Sequence, residues 1–286
     1  MFHQALAIDS SYALAYVGLA QAFHQKWVLG EFRSREALDL KFKNASMAVK
    51  LDSTLAEAQD MMASAYLTNR DFDSAHQHLK AALKLNPNLA DANYTAGFFM
   101  RNLGLLPQGI KYFYRTIELD PFDLRVYGLC ANFLMSLGKL EEAAALLRRG
   151  TEIEPNYPAH HRGQAHLAIL MKKYDQADTL IAKAEKISPG AMAEFKVLLL
   201  AARGEKEKAL ALNDRDPEVY ALLGMKDETI KCLKDRAGSK GSYYLSLLHY
   251  PVFANFQNDP QFIEIVEKEK KKYDENLRKY GDWGIE

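Results

Sequence analysis

A short mark recurs along this chain: an aliphatic residue, a polar residue, then serine or proline. It stands at Ile8-Asp9-Ser10, Leu51-Asp52-Ser53, Leu85-Asn86-Pro87, Leu119-Asp120-Pro121, Ile153-Glu154-Pro155 and Ile187-Ser188-Pro189. The steps between third residues are 43, then 34 four times over. A fixed period of this size means one supersecondary unit repeated, each copy burying its apolar face on its neighbours. Proline cannot continue a helix and drives the residue before it out of the helical region. Each mark therefore ends one helix and precedes the next. Turn signals fall midway, at Asn69-Arg70-Asp71, Leu103-Gly104, Leu137-Gly138 and Lys172-Lys173. Every period thus divides into two helices of about 12 to 15 residues, roughly 20 Å long each.

The packing residues keep the same step. Second helices carry small, large and small residues at Ala75/Leu79/Ala82, Gly109/Phe113/Thr116, Ala143/Leu147/Gly150 and Ala177/Ile181/Ala184. First helices carry a small residue at Ala20, Ala63, Gly97, Ala131 and Ala165, followed three residues later by Phe23, Tyr66, Met100, Leu134 or the lighter Ala168. Small side chains let helix axes approach closely, and the large one fills the space between them. On these residues the chain resembles the tetratricopeptide repeat family over about residues 1–190. The expected fold is all-α, a right-handed α-solenoid of five to six helix pairs with a helical C-terminal cap.

Two departures interrupt the array. The 43-residue step holds nine extra residues within Lys26–Ala37, including Trp27 and Phe32, which read either as a longer turn whose aromatics cover the array edge or as a dedicated binding loop. At the start, Phe2 and Ala5 occupy second-helix positions with no first helix before them. This predicts a chain that begins in mid-repeat, as part of a longer protein.

After Pro189 the period decays. Residues 191–236 read as degenerate, shortened helix pairs around Gly204 and Gly224, and 237–286 as the cap, opened by Ser239-Lys240-Gly241-Ser242. A last helix over about Gln261–Tyr280 puts Phe262, Ile265, Val266 and Tyr273 near one face, with the charge run Glu267–Lys272 on the solvated side. The stretches Ala13–Ala20, Leu119-Asp120-Pro121 and Phe253…Asp259-Pro260-Gln261-Phe262 resemble the repeat arrays that follow effector domains in bacterial signalling proteins. Those effectors include adenylate cyclases, winged-helix regulators and protein kinases. That resemblance implies an accessory role beside an effector domain.

Composition excludes several function classes. Lys+Arg and Asp+Glu are each 37, so the basic footprint of a nucleic-acid binder is absent. Apolar runs are too short to cross a bilayer. Cys130 and Cys232 stand 102 residues apart in apolar helical patterns and read as core residues rather than a disulfide or metal pair. With no leader visible, the expected compartment is the cytoplasm. No catalytic motif and no cofactor site is found. Gly238-Ser239-Lys240-Gly241 lacks the spacing of a phosphate-binding loop. His76/His78 and His160-His161 lack the three- or four-residue spacing of two ligands on one helical face and read as surface histidines.

What remains is a binding surface. In the family the first helices line the concave groove, and helical spacing places Asp60, Ser64, Tyr94, Phe98, Arg101, Arg125, Asn132, Met135, Arg162, His166, Ile169 and Lys196 on it. We single out Tyr94, Phe98, Arg101, Arg125, Asn132, Arg162, His166 and Lys196, a basic and aromatic set within a neutral chain. Arginine forks take carboxylates in bidentate fashion, and aromatics anchor apolar side chains. The function expected is a non-catalytic scaffold holding a protein or peptide partner with an acidic segment, or the effector domain of its own parent protein. The alternatives are a self-assembly module forming a homodimer and a sensory accessory domain. The carboxylate clamp for chaperone tails found in part of the family is not implied. Arg125, Asn132 and Arg162 are suitable types, but its lysine and asparagine order is not reproduced.

Overall fold

The computed structural model describes residues 1–28, 35–213, 215–236 and 241–283. The middle of the insertion, with Phe32, and the break at Gly238-Ser239-Lys240 lie outside the described residues. Among those described, every regular element is a helix, and the fold is an all-α solenoid of helix pairs. A lone α1 (Phe2–Ile8) precedes the pairs α2 (Ala13–Val28) with α3 (Arg35–Leu51), and α4 (Ala56–Thr68) with α5 (Phe72–Leu85). Next come α6 (Ala90–Leu103) with α7 (Leu106–Leu119), α8 (Leu124–Ser136) with α9 (Leu140–Ile153), and α10 (Pro158–Leu170) with α11 (Tyr174–Ile187). Two shorter pairs follow, α12 (Ala193–Ala202) with α13 (Lys206–Leu212) and α14 (Pro217–Leu222) with α15 (Lys226–Asp235). That makes seven pairs among the described residues, against the five to six expected. The chain ends with α16 (Tyr244–His249), a 3-10 helix (Pro251–Phe256) and α17 (Pro260–Tyr280).

The marks are closed by a hydrogen bond that recurs with the repeat. A chain leaving a helix carries carbonyls without intrahelical partners. Gln59 Nε2 donates to Ser53 O at 2.7 Å, Asn93 Nδ2 to Pro87 O at 3.0 Å, Tyr127 OH to Pro121 O at 2.8 Å and His161 Nε2 to Pro155 O at 2.7 Å. Donors and acceptors each step by 34 residues, and Tyr16 OH reaches Ser10 O at 3.4 Å in a looser version. Four donor types perform one task, so residue identity alone does not reveal it.

This bond overturns the surface reading of His160 and His161, which are 0% and 1% exposed. His160 Nε2 donates to Leu124 O at 3.1 Å, and its ring lies 4.8 Å from Tyr157 and 6.0 Å from Tyr127. It sits over Gly150, where a Cβ would come within 2.6 Å of the ring. Both Nδ1 atoms are buried without a hydrogen-bond partner. His76 and His78 are half-buried, and His78 Nδ1 meets Gln59 Oε1 at 2.7 Å.

Burial holds the His160 imidazole below its ordinary value. The folded chain therefore refuses a proton that the unfolded chain accepts once the pH drops below about 6.5. Stability contributed by His160 is full above that pH and is lost on acidification. His160→Gln keeps an amide donor for Leu124 O and removes the titration. The difference in melting temperature between pH 7.5 and pH 5 is expected to shrink in this variant. An unchanged difference would mean that His160 takes up its proton in the folded state.

The packing gathers into two compact units. The first comprises 1–100, 111–120 and the chain end from Tyr280. In it Ala75, Leu79 and Ala82 are fully buried, and the Phe113 ring occupies the place of a Cβ on Gly97, 2.4 Å from it. Phe2 covers Gly18 in the same way, at 2.3 Å. Lys41 is 1% exposed, with its ammonium 2.9 Å from Ser64 Oγ, 3.0 Å from Ser64 O, 3.1 Å from Thr68 Oγ1 and 3.3 Å from His24 Nδ1.

The second unit comprises 101–110 and 121–279. Its interior runs through Ala165, Ala177, Ile181 and Ala184 to Leu198 and Val219. Small and large residues alternate across facing helices, as the repeat pattern requires. Cys130 is buried and Cys232 partly so, both as free thiols. Burial pushes the Cys130 thiol up to about 12.

Candidate interaction surface

In the first unit Tyr94 and Phe98 lie half-buried on α6, and the Tyr94 ring centroid is 6.0 Å from that of Phe113. Asp60, expected on the open surface, is buried at 5% exposure, and Ser64 is engaged by the Lys41 ammonium. Both lie where α2, α3 and α4 pack, because a lysine at position 41 draws polar partners inward.

In the second unit Arg101 lies in the last turn of α6, and Asn132 lies on α8. Both are exposed and line one cavity of about 190 Å³ with Ser136, Ser242, Tyr243 and Ser246. Arg162 is exposed on α10. Arg125 is exposed too, but its guanidinium folds back on the N-cap of its own helix. Its Nε lies 2.8 Å from Asp123 Oδ1 and its Nη2 2.7 Å from Asp123 Oδ2. Lys196 pairs with Glu185 at 3.1 Å. That carboxylate also accepts Gly190 N–H and Met192 N–H, and these bonds with Lys196 hold it below the usual range. Met135 and Ile169 are buried at 1% and 2% exposure and belong to the core instead.

His166 is drawn into a cluster that the repeat pattern does not reveal. Its Nε2–H points to Tyr250 OH at 2.7 Å and Glu218 Oε1 at 3.2 Å, while Tyr250 OH donates to Glu218. Burial, with Glu218 beside it, raises the Tyr250 hydroxyl well above its ordinary value, so it remains a donor. The backbone before α16 is held similarly. Ser242 N–H donates to Leu103 O at 3.2 Å, and Asn276 Nδ2 donates to the same carbonyl at 2.9 Å. Tyr243 N–H donates to the buried carboxylate of Glu269 at 2.8 Å. Segment 241–250 therefore lies against α8 and α10 and contributes to the surface itself. The aromatic run that starts in it, Tyr243, Tyr244, Tyr250, Phe253 and Phe256, is the one signal in the sequence, and it gives no docking position.

Among the described residues no group of three or more His, Cys, Asp or Glu could hold a metal ion. No helix there is long and apolar enough to cross a membrane.

Residues 56–89 and 104–167 each match a family model described as tetratricopeptide repeat. The chain is 26% identical over 104 residues to Hsp70-Hsp90 organizing protein 3 of Arabidopsis thaliana, covering 36% of this chain and 19% of that protein. It is 26% identical over 105 residues to the Hsp70-Hsp90 organizing protein of Triticum aestivum, covering 37% and 18%. The matched stretch thus spans about a fifth of these curated relatives. Among solved structures, Pseudomonas aeruginosa PilF superposes with a TM-score of 0.57 at 16% identity, over 80% of this chain and 99% of that one. PilW, described as a widely conserved type IV pilus biogenesis factor, superposes with a TM-score of 0.56 at 17% identity, over 89% and 98%. At these identities the two structures share the fold.

Proposed function

We propose, from the premise that this chain belongs to the tetratricopeptide-repeat proteins, that it holds an acid-bearing segment of a partner polypeptide on the first helices of its second unit. Its repeats make it a protein-interaction scaffold, and the finer reading concerns where the partner lies. The observation that carries it is the convergence of Arg101 and Asn132 on one polar cavity beside the hydroxyls of Ser136 and Ser246. A guanidinium and an amide at one mouth suit a carboxylate and its flanking peptide backbone. Arg162 on α10 extends the basic character. Arg125 and Lys196 do not line this cavity, and they bond Asp123 and Glu185. A desolvated charge-assisted bond contributes about 1.5–3 kcal/mol and a solvated one roughly 0–1. Two arginines thus supply specificity more than bulk affinity. The curated relatives are named as organizers of Hsp70 and Hsp90, but the clamp order is absent here, and no chaperone tail is assigned.

The test compares the chain with an Arg101→Glu/Arg162→Glu variant of unchanged helicity and melting, in quantitative capture from source lysate. A partner retained by the first and reduced at least tenfold with the second is expected. Equal capture by both would remove the first helices as the binding surface.

A second reading, self-assembly, is favoured by apolar side chains standing open in the first unit, with Ile8 90%, Tyr12 46% and Leu14 41% exposed. Exposed large apolar side chains mark interfaces where they gather into one patch. Sedimentation across a hundredfold concentration range separates the readings, because holding a partner segment needs no dimer.

A further inference from the structure

In the first unit the last described residues of the chain fill an aromatic pocket built from three different helices. The Trp283 ring centroid lies 5.2 Å from Tyr112 of α7, 5.3 Å from His76 of α5 and 5.7 Å from Phe99 of α6. Tyr280 stands edge-on to two of the same rings, 5.4 Å from His76 and 5.6 Å from Phe99. Its hydroxyl donates to the Asp73 carboxylate at 2.7 Å. Trp283 Nε1 donates to Tyr280 O at 2.6 Å, so the indole satisfies its own polar atom within the tail. Both side chains are buried, at 6% and 4% exposure. Burial, with Asp282 beside it, pushes the Tyr112 hydroxyl up to about 12, so that wall of the pocket stays neutral.

Among the described residues, the walls His76, Phe99 and Tyr112 come from the repeats, whereas Tyr280 and Trp283 come from one four-residue stretch at the end of α17. Such a division separates a receptor from a linear ligand. Recognition is carried by two rings at a spacing of three residues and one hydroxyl on an acid, which is the anatomy of an aromatic hot spot. We propose that the His76/Phe99/Tyr112 pocket, with Asp73 at its rim, is a binding site for a Tyr-x-x-Trp segment closing a helix. The chain's own Tyr280 and Trp283 occupy it in cis and gate it against the same motif on a partner polypeptide. This site is separate from the Arg101 and Asn132 surface and stands or falls independently of it. A tethered occupant acts at an effective concentration of roughly millimolar order for a short linker, so the tail excludes all but abundant or co-localised competitors.

The probe is a fluorescein-labelled peptide of residues 271–286, titrated into the full chain and into a full-length Tyr280→Ala/Trp283→Ala variant. Binding at least tenfold tighter to the variant is expected, with loss of binding when the peptide itself carries Trp283→Ala. In a second measurement, Trp27→Phe leaves Trp283 as the sole indole of the chain. Excess peptide carrying Trp283→Phe is expected to shift its emission to the red as the tail is displaced. Equal affinity for chain and variant would overturn the proposal. So would absence of binding to the variant together with unmoved Trp283 emission at millimolar peptide. If the variant loses helix content, the emission measurement alone decides.

Discussion

Gly104→Ala is expected to lower stability by roughly 3–5 kcal/mol, and Gly204→Ala by only about 1 kcal/mol, although both glycines sit in the left-handed region. Their φ angles are +80° and +76°. Backbone strain is common to the two, and it is tolerable by itself. The turn positions one repeat before Gly104 and two repeats after it are Arg70 and Lys172, each at φ 58° with a full side chain. What differs is the space above. A Cβ on Gly104 would lie 2.0 Å from the Ser242 carbonyl oxygen, whereas nothing lies within 4 Å of one on Gly204. Alanine at 104 must therefore push the 241–243 backbone off Leu103 O, with loss of the Ser242 bond and strain on the Glu269 bonds behind it. Gly138 falls between, since its Cβ would meet His249 O at 2.8 Å. Denaturant unfolding of the three alanine variants should rank them 104, 138, 204. Equal losses at 104 and 204 would mean that the C-terminal segment does not seat on these turns in solution.

That comparison also shows which parts of this protein are legible in its sequence. Period, helix pairing and the small–large–small packing residues follow from Pro87, Pro121, Pro155 and their neighbours, because helix termination and close helix approach are local demands. Gly104 and Gly138 are turn residues, as their place midway between marks indicates. Their second task, admitting a backbone strand from more than a hundred residues away, leaves no local trace. The same holds for His166. Helical spacing puts it on the first-helix face, yet its partners Tyr250 and Glu218 come from segments that have lost the repeat. The burial of His161 is hidden from the sequence for a related reason. The carbonyl it serves is set by the repeat, but Gln, Asn, Tyr and His all reach it, so no single residue type announces the bond. Side chains that answer to neighbours in sequence can be read from it, and those that answer to a returning segment cannot.

Lys41 should make the first unit more stable as the pH rises from 7 to 9, by about 1–2 kcal/mol, a trend opposite to that of an ordinary surface ion pair. Burial lowers its ammonium from 10.5 to about 7, with Asp60 opposing the shift. Between those two values the unfolded chain holds a proton that the folded chain does not, so stability climbs with pH. Below 7 the cost of the buried charge is fully present, and above 10.5 it is gone. One proton displaced over two pH units corresponds to at most about 2.7 kcal/mol. The acceptors around the amine reduce that figure, since Ser64 O, Ser64 Oγ and Thr68 Oγ1 all favour the charged form. The charged or titratable groups facing it are His24 from α2 and Asp60 from α4. The window must stop near pH 9, because the buried Cys130 thiol keeps its proton up to about 12 and reverses the slope beyond that. Lys41→Met removes the titrating group at similar length, and its stability should be flat where the parent chain rises. If the parent chain is equally flat or falls between pH 7 and 9, the oxygen cage outweighs burial. Lys41 would then be a charged post tying α3 to α4.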